Sequence, residues 1–173
     1  MIVAQTFETP LGKMFAAATN EGICMLVFNS LQACSIAQNR FKQEVVWKQH
    51  VYFDSLNNQL SAYFSGKKKL FDVPLHLVGS PFQISVWKAL QNIPYGKTTS
   101  YQAMAMQIKG PNLTRAVARA NSQNPLLILI PCHRVIGSDG SMTGYSGGIE
   151  MKRALLSLEK RIAGQELQNG LLF

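Results

Sequence analysis

The chain has 173 residues, enough for one or two small domains with a real core, and 47% of it is apolar against 15% charged. No stretch reaches about 18 uninterrupted apolar residues, which argues against a membrane-spanning helix. Three cysteines at irregular spacing (Cys24, Cys34, Cys132) argue against a disulfide framework or a CxxC zinc site. The formal charge of +8 is uneven: residues 1–79 contribute +2 and residues 80–173 contribute +6. Positive charge gathered in the second half fits a polyanionic partner as well as a plainly solvated surface. The stretch "MIVAQTFETPLGK" lacks the basic start and apolar run of a secretory signal, so a cytoplasmic location is expected.

The first third reads as strands. "IVAQTFET", "KMFAAAT" and "ICMLVFN" are separated by Pro10-Leu11-Gly12 and Asn20-Glu21-Gly22, both turn-forming groups, which predicts a β-meander. "LQACSIAQNRF" and "SLNNQLSAYFSG" read as helices, with Ser55 and Gly66 as start and stop of the second. Lys67, Lys68 and Lys69 form a solvated turn, and "FDVPLHLV" reads as an extended strand.

From Ser80 the pattern is helical. "SPFQISVWKALQNI" has Ser80 as N-cap and Pro81 at the first helical position. "PYGKT" interrupts it. "SYQAMAMQIKG" is a second helix, capped by Ser100 and ended by Gly110, and "PNLTRAVARANSQN" a third, capped by Asn112. Two short helices joined by a Gly-Pro turn resemble a helix-turn-helix, whose second helix meets DNA. On that helix Arg115 and Arg119 are four apart and share a face, with Ala116, Ala118 and Ala120 keeping it slim and Thr114 and Asn121 adding polar groups. The pattern fits a DNA-facing helix and an ordinary exposed amphipathic helix equally. A last helix is predicted from Glu150 to Ile162. Two domains follow, 1–79 and 80–173.

The chemistry gathers at "LILIPCHRVIG", where Cys132, His133 and Arg134 follow an apolar run. A thiolate is the nucleophilic form of cysteine, and nearby positive charge favours it. Arg134 contributes to that charge in a role as much structural as electrostatic, and His133 is the expected proton acceptor. Cys24 and Cys34, in apolar contexts, read as small buried hydrophobes. A histidine base needs a third group to fix its tautomer. Acids are scarce after residue 80: Asp139, Glu150, Glu159 and Glu166. Glu159, following Leu155-Leu156, either points inward to do this or lies at the surface beside Arg153, Lys160 and Arg161. "GYSGG" at 144–148 permits close backbone approach to a ligand, with Tyr145 to pack on a flat group and Ser146 to bond it, or is simply a turn. His50 and His76 read as ordinary surface or structural residues.

"IPCHRVIG" followed by "GYSGG", and preceded by "PYGKTTSYQAMA" and "RAVARANSQNP", closely resembles the O6-alkylguanine-DNA alkyltransferases, densely so from about Phe82 to Glu159. The resemblance implies an α/β (α+β) fold: a small N-terminal ribonuclease H-like α/β domain, then a mostly helical winged helix-turn-helix domain. It implies binding of double-stranded DNA containing alkylated guanine from the minor-groove side, with the damaged base turned out of the stack. The alkyl group of O6-alkylguanine, and of O4-alkylthymine, passes irreversibly to Cys132, once per molecule, with no cofactor and no metal. The implied protein acts as a monomer away from membranes, with cooperative assembly on DNA left open.

Roles carry over by position. Cys132 is the acceptor, His133 the base acting through a water, Glu159 its orienter, and Asn124 a holder of that network. Arg115 fills the gap left in the duplex. Tyr101 presses on the 3′ phosphate and donates to the guanine. Tyr145, Ser146, Val135 and Arg134 belong to the pocket, with Ser146 near O6. Thr114, Ala116, Arg119 and Asn121 join Arg115 on the DNA side. Two positions depart from the family pattern: Ala154 stands where many members carry a bulky aromatic, and Arg119 where some carry glycine. Three rival readings fit the residues less well. A lesion-binding relative lacks the acceptor cysteine, which is present here; a cysteine hydrolase has no use for a basic helix-turn-helix; a plain DNA-binding regulator has no use for the Cys–His–Glu relay.

Overall fold

The computed structural model describes residues 1–28 and 32–170, with side chains to residue 168. It divides into two compact units, Met1–Val78 with Pro125–Leu129, and Gly79–Asn124 with the chain from Ile130 onward.

In the first unit, β1 (Ile2–Thr9), β2 (Gly12–Thr19) and β3 (Gly22–Phe28) form the expected antiparallel meander. The sheet continues past β1 to a short parallel strand, β4 (Val45–Trp47), giving the order β3-β2-β1-β4. Sequence reading missed β4, because three residues are too few to display a period. Helices α1 (Ala33–Phe41) and α2 (Val51–Phe64) complete the unit. Ile2, Ala4, Phe15, Ala17, Cys24 and Met25 pack with Ala33 and Ala37 of α1. Phe7, at the alternate position on β1, meets Phe53 of α2 edge-on at 5.9 Å. Burial on both faces explains why "MFAAA" and "ICML" are continuous apolar runs instead of alternating ones.

Three boundaries differ from expectation. Helix α2 starts at Val51, not Ser55, because His50 is the N-cap: its ring Nδ1 accepts from the Tyr52 amide. "FDVPLHLV" forms no strand; only Leu75 bridges Ile23, whose amide donates to the Pro74 carbonyl at 2.8 Å. Gly22 sits there at φ +152°, and an added Cβ would fall 2.6 Å from that carbonyl oxygen, so the approach requires glycine. The expected element ends at Asn29 and Leu31 lie outside the described residues.

In the second unit, α3 (Pro81–Leu90) opens with a full capping box between Ser80 and Gln83. Next come β5 (Thr99–Ser100) and α4 (Tyr101–Ile108), the latter capped by the Ser100 hydroxyl. The third expected helix splits. Pro111–Leu113 is one 3-10 turn, and α5 (Thr114–Ser122) starts two residues after the Asn112 cap foreseen from sequence. The tight turn sets α4 against α5 as a helix-turn-helix. The Trp87 indole donates to the Ala120 carbonyl at 2.9 Å and ties α3 to α5. A second short strand, β6 (Val135–Ile136), pairs in parallel with β5. The last helix, α6 (Ile149–Gly170), runs beyond Ile162.

The apolar run before Cys132 belongs to both units. Sequence reading gave it whole to the second domain, but Pro125–Leu129 packs with the first. The Leu26 amide donates to the Pro125 carbonyl at 2.8 Å and the Leu127 amide to the Leu26 carbonyl at 2.9 Å, so the run extends the β3 edge. Ile128 takes φ +71°, an uncommon conformation for a β-branched residue, as the chain leaves this edge.

Among the described residues, no helix is long and apolar enough to cross a membrane. No group of three His, Cys, Asp or Glu among them could hold a metal ion.

Candidate active site

The chain after Ile130-Pro131 makes one 3-10 turn, Cys132–Arg134, and passes into β6. All three turn residues are buried. The Cys132 amide donates to the Ile130 carbonyl at 2.7 Å, and Asn124 donates to the same carbonyl through Nδ2 at 2.9 Å. The Asn124 side chain also hydrogen-bonds the Cys132 thiol. Asn124 therefore grips the Cys132 turn at two points.

Behind Cys132 lies a closed polar network. His133 Nε2 is 2.8 Å from Oε1 of Glu159. Arg134 donates to the same carboxylate from Nε and from a terminal nitrogen, each at 2.9 Å, and to the Ile93 carbonyl at 2.7 Å. The Gly96 amide adds a fourth donor to Glu159 at 3.0 Å. Burial by itself would raise the Glu159 pKa, but the bonds from His133 and Arg134 together outweigh it and hold the carboxyl down at about 2. His133 is pushed the other way. Burial lowers its pKa, and Glu159 opposes this only in part. The ring is thus neutral at pH 7 and gives Nε2–H to Glu159, which leaves Nδ1 as the basic nitrogen. Nδ1 has no hydrogen-bond partner among the described residues.

Cys132 is a thiol at rest. Burial raises its pKa to about 11, against lowering by the Asn124 bond, by Lys152 and by the Cys132 and His133 amides. Sequence reading gave Arg134 a structural role as much as an electrostatic one. Arg134 is committed to Glu159, and the cation that acts on the thiol is Lys152. Lys152, in the first turn of α6, is fully buried and donates to the Val135 carbonyl at 2.5 Å and the Thr143 carbonyl at 3.1 Å. Thr143 also accepts from the Tyr101 hydroxyl at 2.9 Å. Tyr145 is buried and meets His133 edge-on at 6.4 Å, with its hydroxyl unpartnered among the described residues. Ser146 is exposed on the loop beside it, and Val135 is fully buried, its carbonyl taken by Lys152.

On α5, Arg115 and Arg119 are exposed, Thr114 and Ala116 are half-buried, and Val117 and Ala120 face the core. Asn121, grouped by sequence with the DNA-facing residues, is 1% exposed and points its amide at the Cys132 carbonyl, 3.5 Å away. Helical spacing puts it with Val117, on the inner face of α5.

Residues 81–161 match the family model described as the 6-O-methylguanine DNA methyltransferase, DNA binding domain, and residues 2–77 match that family's ribonuclease-like domain. The chain belongs to the 6-O-methylguanine DNA methyltransferase family. A methylated-DNA–protein-cysteine methyltransferase of Methanosarcina barkeri is 44% identical over 88% of this chain and 94% of its own length. The crystal structure of the Mycobacterium tuberculosis O6-methylguanine methyltransferase is 42% identical, covers 93% of this chain and 94% of that one, and superposes with a TM-score of 0.79. Mycobacterium tuberculosis OGT in complex with DNA is similar to the same degree: 43% identity, 92% and 94% coverage, and a TM-score of 0.79.

In this methyltransferase fold the sequence-selected residues Cys132, His133, Glu159, Asn124 and Arg134 form one buried cluster. Tyr101 and Tyr145 stand beside it, and Arg115 and Arg119 lie on the exposed face of α5. Sequence reading missed Lys152 and Gly96. A lysine in "IEMKRALL" reads as one more solvated charge, and only its helical phase, three before Leu155 and seven before Glu159, carried a hint of burial.

Proposed function

We propose that this chain repairs alkylated DNA by direct reversal, moving the alkyl group of O6-alkylguanine in a duplex onto its own Cys132, once per molecule. The observation that carries this reading is the buried Cys132 thiol, held by Asn124 beside a neutral His133 whose free Nδ1 is basic, within a helix-turn-helix unit.

His133 Nδ1 takes the thiol proton through a water. The Cys132 sulfur attacks the O6-alkyl carbon, forming the S–C bond as the C–O6 bond breaks and its electron pair stays on the guanine. The guanine gains one proton from the Tyr101 hydroxyl, which is restored from the protonated His133 through solvent. With the thiol pKa near 11, only roughly one molecule in ten thousand is thiolate at pH 7, so proton removal must accompany attack. The neutral thioether carries a poor leaving group, so the transfer is not reversed.

DNA binds through α5 from the minor-groove side, Arg115 occupying the space of the everted base and Arg119 adding a phosphate contact. Tyr145 packs on the everted base, and Ser146 bonds near O6. The protein acts as a monomer in this reading.

The test is intact-mass measurement after incubation with a duplex carrying one O6-methylguanine, followed by peptide mapping. The expected result is a single methyl group on Cys132, saturating at one per protein. Unchanged mass with tight lesion binding overturns the reading in favour of a lesion-recognition protein, and repeated turnover overturns it in favour of a hydrolase.

A further inference from the structure

Asn121, on the inner face of α5, is 1% exposed and turns its amide nitrogen to the Cys132 carbonyl at 3.5 Å, long for a hydrogen bond. That carbonyl also accepts from the Val135 amide. The other polar atom of the side chain, Oδ1, is buried and has no hydrogen-bond partner among the described residues. A buried acceptor left in that state costs free energy and calls for an explanation.

The acceptors around it are already in use. The Ile130, Val135 and Thr143 carbonyls and both oxygens of Glu159 each hold a donor. Two other side-chain atoms around Cys132 lack a partner among the described residues, His133 Nδ1 and the Tyr145 hydroxyl. The first receives the thiol proton in the reaction proposed above, and the second can donate as well as accept. Asn121 Oδ1 can only accept, so what satisfies it is a donor.

O6-alkylguanine brings one. Alkylation at O6 leaves N1 without its proton, and the pairing edge of the base keeps a single donor, the exocyclic 2-amino group. O4-alkylthymine has no donor on that edge. The alkyl carbon must come within about 3–3.5 Å of the sulfur to react. Cys132 is itself 1% exposed, so an entering base displaces what covers it.

We propose that Asn121 sets the base preference of the transfer. Its Oδ1 accepts from the 2-amino group of the everted guanine as the base settles against Cys132, which favours O6-alkylguanine over O4-alkylthymine. A base without that donor closes the pocket over an unpaired acceptor and is disfavoured for that reason. The assignment rests on the alkyl-transfer reading above and names the base it prefers.

The test crosses one side chain with one substrate group. Single-turnover transfer is measured from three duplexes of the same sequence, carrying O6-methylguanine, O6-methylhypoxanthine, which lacks only the 2-amino group, or O4-methylthymine. Wild type is expected to prefer O6-methylguanine over O6-methylhypoxanthine by at least about tenfold. Asn121→Leu, close in volume and without the acceptor, should slow transfer from O6-methylguanine about tenfold and leave O6-methylhypoxanthine nearly unchanged. Its preference over O4-methylthymine should narrow as well. Asn121→Ala gives the same cycle with a smaller side chain. Equal slowing on all three duplexes in these variants overturns the proposal and leaves Asn121 a part of the packing only. The wild-type comparison needs no variant, and equal rates on O6-methylguanine and O6-methylhypoxanthine overturn it too. Wild type that transfers no methyl group from any duplex sinks the underlying reading instead, so the two failures are distinguishable.

Discussion

His133 Nε2 and Glu159 Oε1 lie 2.8 Å apart with neither side chain exposed to solvent, and that bond decides which nitrogen of His133 is basic. The carboxylate takes Nε2–H, so Nδ1 is left to receive a proton.

Glu159→Gln is expected to reduce methyl transfer about 100-fold, the low end of what a positioned base contributes. It also leaves Arg134 buried without its counter-charge, and loss of a buried pair partner costs about 3–5 kcal/mol. Urea unfolding and single-turnover transfer on the same preparation measure the two effects. Wild-type stability in the variant would contradict the buried network.

The pH response has two separate origins. His133 has a pKa below 6.5, so transfer should be level through neutral pH and fall only as acid protonates the ring below that value. Glu159 is depressed to about 2 from 4.5, so its stabilisation is complete above 4.5 and is lost as pH drops from 4.5 through 2. Transfer rate and denaturant midpoint against pH should therefore break at different values. A coincident break would assign both to unfolding.

Gly96 sits at φ +73°, and an added Cβ would fall 2.9 Å from the Ala163 Cβ and 3.3 Å from the Glu159 carbonyl. Its amide is one of the four donors on the Glu159 carboxylate. Gly96→Ala should therefore destabilise by about 1–3 kcal/mol through strain and displaced packing. It should slow transfer in proportion to any shift of Glu159. Thermal unfolding and transfer kinetics check it; an unchanged melting temperature would show that the loop accommodates the methyl.

Arg119→Ala, on the exposed face of α5, should weaken binding to lesion and undamaged duplexes alike and reduce the salt slope of log K by about 1. On the proposed reading, in which Arg115 fills the space of the everted base, Arg115→Ala should weaken binding and also slow transfer. Fluorescence anisotropy at several salt concentrations distinguishes them. Equal loss of transfer in both variants would place Arg115 on the phosphate backbone only.

Much of this protein was legible in its sequence because the signals are local. The meander strands are bounded by turn residues, Ser80 and Ser100 cap their helices through contacts three residues away, and "IPCHRVIG" with "GYSGG" marks the Cys132 region by residue type alone. What only the tertiary structure decided is which groups share a dry volume. The sequence placed Arg134 next to Cys132, yet the fold commits its guanidinium to Glu159 and brings Lys152, twenty residues on, to act on the thiol. The sequence set Asn121 among DNA-facing polar groups, and helix packing turned it to the Cys132 carbonyl. Sequence charge favoured a thiolate, and burial made it a thiol with a pKa near 11. The physical reason is common to all three. Residue type fixes what a side chain is able to do, whereas desolvation and charge pairing depend on neighbours brought in from distant segments, and these set which state it occupies.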